Sequence, residues 1–408
     1  MPSRKTVPAR RRPDPGPIAR ELVSRLFEDI LREDCVVFVG AGATTERRGQ
    51  VRQSFYDLIM AGSGLSATSP RPTFPELMQY FCDKRDGGRH NRLIREVISR
   101  IEAFCVRGED NALANMFTSS LAEIPYLNRF VTTNWDPFLE RSLDVLVAMV
   151  EDRDLAFWDD RKRQVLKIHG CVTRPYSIVA TQSDYDRCMT SNPLIFNKLK
   201  DLMATKTFLF AGYSMRDADF RTIWDGIIQS LGRFAKLAYA LDPNATADEI
   251  SFWAERGIQL IGITDVMFIR TLRERLEKTN LIPSERFLEF LERQRRRITA
   301  IHISLSQKSH GGLISAMYQD GLLHGLGDVL VATMLGTKKR DDFGADLRGA
   351  EEQFEKQQQR GNVIEIAYSG GRCEVLKRFI RRTSTPIPAY FHPYRLKPTT
   401  TLVKGKKM

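Results

Sequence analysis

Residues 35–46, Cys-Val-Val-Phe-Val-Gly-Ala-Gly-Ala-Thr-Thr-Glu, decide how this chain is read. Cys35 to Val39 form an apolar run rich in β-branched residues, which stops at Gly40-Ala41-Gly42. A strand buried on both faces has no polar alternation, and small residues directly after it fit a tight loop. Such a loop lets backbone N–H groups come close to a phosphate, and a helix starting behind it adds the positive end of its dipole. The stretch departs from the G-x-G-x-x-G dinucleotide fingerprint, because Thr45 stands where the third glycine would be.

Working outward, the same event recurs. Apolar runs at 129–133, 165–168, 177–180, 207–211, 237–241 and 259–263 predict further strands. Several of them end on polar residues: Thr133-Asn134-Trp135-Asp136, His169-Gly170, Gly212-Tyr213-Ser214 and Asp242-Pro243. Helical patterns lie between them. One stripe carries Leu22, Leu26 and Ile30; Pro137, with Asp136 as its N-cap, opens a helix expected to reach about Val150. Another runs from Thr181 through Leu202. Ser214 with Asp217, and Thr246 with Glu249, have capping-box spacing. Strands alternating with helices predict an α/β fold, a doubly wound Rossmann-like parallel sheet. In such a sheet ligands bind at the carboxyl ends of the strands, where all five polar stations fall.

The segment 53–121 is too long for one crossover, since a dozen residues suffice to join parallel strands. Breaks at Gly62-Ser63-Gly64, Pro70-Arg71-Pro72 and Asp86-Gly87-Gly88 divide it into several helices, which predicts a helical insertion over the ligand cleft. Past Pro283 the alternation is lost. A basic helix is expected at 281–297 and a strand at 299–305. The division predicted is therefore a disordered basic tail over 1–17, a nucleotide-binding domain over 18–280, and a smaller α+β or mostly helical domain over 281–408, serving oligomerisation or partner binding.

Charge and cysteines narrow the class. The net charge of +12 is concentrated at the ends, +5 in residues 1–20 and +9 in 281–408, which leaves −2 for the middle. A core that bound nucleic acid would carry its own basic face, so the sheet region is not read as a nucleic-acid binder. Six scattered cysteines (Cys35, Cys82, Cys105, Cys171, Cys188, Cys373), no two within four residues, argue for reduced thiols in a cytoplasmic protein and against a zinc ribbon. No apolar run approaches the roughly 20 residues of a membrane span. The basic, Pro-rich start lacks the apolar segment of a secretory signal.

Gly40-Ala41-Gly42-Ala43, Thr133-Asn134-Trp135-Asp136, Lys167-Ile168-His169-Gly170, Ser177-Ile178-Val179 with Asp184-Tyr185, and Gly212-Tyr213-Ser214 with Asp217, in this order, resemble the motifs of the sirtuin-like NAD-binding domain. They are most similar to its prokaryotic branch, found in anti-phage defence proteins. The resemblance covers about 30–270, and two departures mark it. The four-cysteine zinc ribbon of the deacylases is missing after His169-Gly170. Thr44-Thr45-Glu46-Arg47-Arg48 replaces the family's usual continuation of the glycine loop, so the arginine that reaches the pyrophosphate is not identified.

The resemblance implies an NAD glycohydrolase that cleaves the nicotinamide–ribose bond to nicotinamide and ADP-ribose, with NAD as substrate and no metal. It puts Asn134 on the ribose hydroxyls and the attacking water, Asp136 near the nicotinamide carboxamide, and His169 as general base at the ribose 3′ side. An imidazole suits that role because its pKa lies near working pH. Gly40, Ala41, Gly42, Ala43 and Thr44 would cradle the pyrophosphate. Thr133, Gly212, Ser214 and Asp242 complete the nucleotide contacts, with Asp242 on the adenosine ribose. Without an acyl-lysine cleft, water is the natural acceptor. The resemblance further implies a regulated NAD-depleting effector, a homo-oligomer, and a partner such as a HerA-like ATPase or a nucleic-acid sensor, with no membrane. Three other readings stay open: an NAD or ADP-ribose sensor without turnover, an NAD-dependent deacylase or ADP-ribosyltransferase, and a DNA- or RNA-binding structural protein in which the sheet is vestigial.

Overall fold

The structure, a computed structural model, describes residues 17–47, 53–65, 70–106, 109–214, 218–279, 310–334 and 342–380, with a few isolated positions besides. Six parallel strands make one sheet: β1 (Cys35–Val39), β2 (Arg129–Thr132), β3 (Gln164–Lys167), β4 (Thr207–Ala211), β5 (Ala238–Leu241) and β6 (Ile258–Ile261). Their order is β3-β2-β1-β4-β5-β6, the doubly wound arrangement. The chain leaves β1 for β2 on one side and reaches β4 on the other, so the switch point lies between β1 and β4. Every residue of β1 and β4 is buried, as uninterrupted apolar runs require.

Helices α1 (Pro17–Leu31), α2 (Phe55–Ser63), α3 (Phe74–Arg85), α4 (Asn91–Cys105) and α5 (Glu109–Ala122) precede β2, the last four forming the expected insertion. Their ends follow local chemistry. Ser54 accepts from the Asp57 amide at the start of α2, Gly64 closes that helix at φ +79°, and Thr73 with Glu76 forms a capping box on α3. The insertion is packed onto the sheet's carboxyl side by Phe55, Ile59, Leu77, Met78 and Phe81, which meet Ile178, Ala180 and Trp135.

Three sequence expectations are corrected. Residues 177–180 are not a strand: Pro175–Ser177 form a single 3-10 turn, and Val179 N–H donates to the His169 carbonyl (3.0 Å). The segment crosses the His169-Gly170 turn, where Gly170 has φ +86° and a Cβ would lie 2.1 Å from the Ser177 carbonyl oxygen. Its apolar pattern comes from burial against the insertion. The helix after Pro137 is α6 (Phe138–Ser142), far short of Val150. Asp144 turns at φ +54°, Leu146 is 96% exposed, and Met149 pairs with Leu166 at the edge of β3. The region 181–202 is two helices, α7 (Gln182–Ser191) and α8 (Pro193–Thr205), because Pro193 cannot donate to a continuing helix and starts a new one.

Helices α9 (Ala218–Leu231) and α10 (Ala247–Ala254) complete the wound part, with the Thr246–Glu249 capping box as read, and α11 (Asp265–Lys278) follows β6 in the chain. The basic tail, the partner of Ser214 at Asp217, and the strand at 299–305 lie outside the described residues, as does most of the helix at 281–297.

The chain divides into two compact units, residues 1–118 with 126–268, and 119–125 with 269–408. The described part of the second is helical: α12 (His310–Met334), α13 (Asp342–Arg360) and α14 (Val363–Ile380), around Tyr318, Leu322, Leu326, Phe343 and Leu376. Helices α12 and α14 cross at backbone distance, since a Cβ on Gly321 would lie 1.9 Å from the Tyr368 carbonyl oxygen.

The switch point yields a stability prediction with two signs. Gly212 has φ +62°, and a Cβ there would stand 2.1 Å from the Ala43 nitrogen, whereas nothing lies within 4 Å of a Cβ on Gly226 in α9. Gly212→Ala is expected to destabilise by roughly 2–4 kcal/mol and Gly226→Ala to stabilise by roughly 0.4–1 kcal/mol in urea denaturation.

Candidate active site

The glycine loop continues β1 as one 3-10 turn, Ala41–Ala43. It lies against the end of β4: Gly40 N–H donates to the Ala211 carbonyl and Gly42 N–H to the Gly212 carbonyl, both at 2.9 Å. The amides of Ala43 and Thr44 are bound by the carbonyls of Gly40 and Ala41. Four of the five loop amides expected to cradle a phosphate therefore already have backbone acceptors. What the loop offers is close approach.

This turn carries Thr44 to the end of β2. Thr44 Oγ1 donates to Asp136 Oδ2 (3.1 Å) and accepts from Asn134 Nδ2 (3.0 Å). Thr44 thus joins the two side chains read as catalytic, which the sequence did not suggest. Thr132 supports them from beneath: its hydroxyl donates to the Val39 carbonyl (2.7 Å) and accepts from Asn134 N–H (2.9 Å). Asp136 Oδ1 accepts from the N–H (3.1 Å) of Phe138, the first residue of α6, but the N-cap position expected for Asp136 is taken by Pro137. Asn134 is 5% exposed, and its Oδ1 is buried without a hydrogen-bond partner among the described residues. An unpaired buried acceptor costs about 1–3 kcal/mol, so the position is one a ligand hydroxyl or water would satisfy. Thr133 is half-buried beside it.

Lys167, the last residue of β3, is 0% exposed. Its ammonium donates to the Asp136 backbone carbonyl (2.5 Å) and lies 3.2 Å from Glu140 Oε1. Burial would lower this ammonium, but the carboxylate of Glu140, then Cys171 and Asp136, overcome that, and Lys167 is held above its ordinary value. Asp136 is 2% exposed. Burial pushes its carboxyl above the ordinary value, and the charge of Lys167, the Phe138 amide and the Thr44 hydroxyl do not offset it.

His169 stands two residues beyond β3 and is 5% exposed. Its Nδ1 is 3.4 Å from Tyr185 Oη, and the two rings meet edge to face at 4.8 Å. Across the switch point, Ser214 is exposed, and Asp242 is half-buried with its carboxylate on Asn244 N–H (2.9 Å). Hydrogen bonds thus join Thr44, Asn134 and Asp136. His169 belongs to the adjoining strand end, and Gly212, Ser214 and Asp242 to the other side of the switch point. Arg47, the arginine nearest the glycine loop, is held by both oxygens of Asp265 (3.0 and 2.6 Å) and by the Ala43 carbonyl. Among the described residues no three His, Cys, Asp or Glu side chains are grouped to hold a metal ion, and no helix is long and apolar enough to cross a membrane.

Residues 128–261, which include β2 to β6 with Asn134, Asp136 and His169, match the family model of the SIR2-like domain. Over these residues the chain is similar to the SIR2-like family. Relatives named NAD(+) hydrolase ThsA align with it. The protein of Bacillus cereus (strain MSX-D12) is 24% identical over 233 residues, 55% of this chain and 46% of that one. That of Cytobacillus dafuensis is 26% identical over 231 residues, covering 54% and 43%. That of Enterococcus faecium is 26% identical over 214 residues, covering 50% and 42%. The chain spans less than half the length of the curated relatives it matches.

The buried carboxyl of Asp136 makes stability depend on pH. Because the folded-state pKa of Asp136 is raised, its contribution is fully present below the unfolded value and is lost as pH rises through the folded one. Asp136→Asn removes that loss. The stability difference, variant minus wild type, is expected to grow as pH rises from about 4 toward the folded-state pKa in denaturant titrations. A difference independent of pH would contradict the assignment.

Proposed function

We propose that the SIR2-like domain is an NAD glycohydrolase, releasing nicotinamide and ADP-ribose, with water as acceptor. The observation that carries this reading is the Thr44–Asn134–Asp136 cluster, with its unpartnered Asn134 Oδ1, at the switch point beside Gly40–Gly42. The relatives' name, NAD(+) hydrolase, supports the same chemistry.

In this reading NAD lies across the carboxyl ends of β1 and β4. The pyrophosphate rests on Gly40, Ala41, Gly42, Ala43 and Thr44, with Gly212 and Ser214 toward the adenosine half and Asp242 on its ribose. Thr133 and Asn134 take the nicotinamide ribose, Asn134 Oδ1 accepting a hydroxyl. Asp136 faces the carboxamide. Cleavage passes through an oxocarbenium-like state. The electron pair of the C1′–N bond leaves with nicotinamide, whose ring loses its positive charge. Water bonds to C1′ and gives up a proton, with His169 as the base. We further place the protein in the cytoplasm as a regulated NAD-depleting effector in bacterial anti-phage defence. The second unit and the basic ends would serve self-association or contact with a partner ATPase or nucleic-acid sensor.

Purified protein, alone and with candidate partners, is expected to consume NAD in buffer and to yield equal amounts of nicotinamide and ADP-ribose. Asn134→Ala and His169→Ala should each slow this by about 10²–10⁴-fold. Equal background release from all three proteins, with NAD still bound, would make the domain a sensor. Loss of NAD only when a protein or peptide acceptor is added would make it a transferase or deacylase.

A further inference from the structure

Lys167 has no part in the reaction as drawn, yet it is the most completely buried charge next to it. A buried ammonium is costly unless paired and hydrogen-bonded, and an apolar residue of similar length would fill the end of β3 without that cost. Its contacts are specific. The ammonium donates to the Asp136 carbonyl at 2.5 Å and lies within 3.4 Å of both Glu140 oxygens, bridging the turn after β2 and the first turn of α6. Asp136 is thereby held at three points: the carbonyl by Lys167, Oδ1 by Phe138 N–H, and Oδ2 by Thr44. Asn134, two residues earlier, shares Thr44.

We propose that Lys167 is a positioning residue for NAD cleavage, its ammonium fixing the Asn134–Asp136 turn through the Asp136 carbonyl while Glu140 holds the ammonium in place. The inference rests on the reading given under Proposed function. It assigns Lys167 and Glu140 a shared role that acts through Asp136 and touches no substrate.

The charged and polar groups facing Asp136 come from three elements: Lys167 on β3, Glu140 on α6 and Thr44 after β1, while Cys171 faces Lys167 from the loop beyond β3. Lys167 and Glu140 therefore act on Asp136 in opposite directions. Lys167 favours the carboxylate and Glu140 disfavours it.

The test uses the full chain and three variants, Lys167→Met, Lys167→Arg and Glu140→Gln, with two readouts. In NAD cleavage, Lys167→Met is expected to lower kcat by about 10–100-fold while KM changes less than about threefold, because orientation is lost and binding is kept. In a carbon-13 NMR titration of the Asp136 carboxyl, the midpoint should move up in Lys167→Met, down in Glu140→Gln, and back toward wild type in Lys167→Arg. Shifts of the same sign in Lys167→Met and Glu140→Gln, or no shift in either, would overturn the proposal. So would an unchanged kcat in Lys167→Met. If Lys167→Met fails to fold, Glu140→Gln decides alone through kcat: a lowered kcat with KM kept supports the role, since Glu140 holds the ammonium in place, and an unchanged kcat refutes it. If wild type cleaves no NAD, the glycohydrolase reading fails, and the carboxyl titrations still decide whether Lys167 governs Asp136.

Discussion

Between β1 and β4 two backbones run at hydrogen-bond distance with no space for a side chain on either. Gly42 N–H donates to the Gly212 carbonyl at 2.9 Å, and a Cβ on Gly40 would lie 2.4 Å from the same oxygen. At the switch point of a doubly wound sheet the connections diverge to opposite faces, which opens a crevice. The glycines let the two loops close the floor of that crevice directly. This contact sets the position of the 3-10 turn, the turn sets Thr44, and Thr44 joins Asn134 to Asp136. The phosphate-like signature of the sequence and the alignment of the catalytic candidates therefore share one cause.

The polar groups at the end of β2 are buried together, and their pairing explains their tolerance. Asp136, Lys167 and Glu140 bring two carboxyls to one ammonium, so one carboxyl is left without a full countercharge. Asp136 takes that position, compensated by an amide and a hydroxyl. A fold selected for stability alone would gain by replacing such a set with apolar side chains. Asn134 Oδ1, buried without a partner among the described residues, is a second such cost to stability.

Much of this was legible. β1 and β4 are continuous apolar runs ending in glycine, and only a strand buried on both faces reads that way. Asn134 and Asp136 followed from their place at a strand end. The misreadings have a common origin, in that tertiary contacts created local patterns. Ile178 and Ala180 look like strand residues because the insertion buries them. Residues 146–150 look helical because Met149 joins the sheet edge. Lys167 and Thr132 carry no functional signal of their own, because a lone lysine is usually solvated and a threonine within a strand is common. The available signal was Val165-Leu166-Lys167-Ile168, a lysine inside an apolar run, which has to find its counterion within the protein when that run is buried.

The insertion and the site are tied by the residues interleaved with the catalytic candidates. Trp135, between Asn134 and Asp136, meets Phe55 of α2 edge-on at 5.7 Å and Phe74 of α3 at 6.0 Å. Glu46, just past the glycine loop, accepts from the Phe55 amide at the start of α2 and from Arg100 of α4. Ile178, beside the His169-Gly170 turn, lies in the same apolar cluster. Displacing α2 and α3 would expose the faces of three aromatic rings and take the Phe55 amide from the half-buried Glu46 carboxylate, so the insertion cannot lift away without disturbing both chain segments that hold Thr44 and Asn134. Opening of this cover and geometry of the site are, in physical terms, one variable.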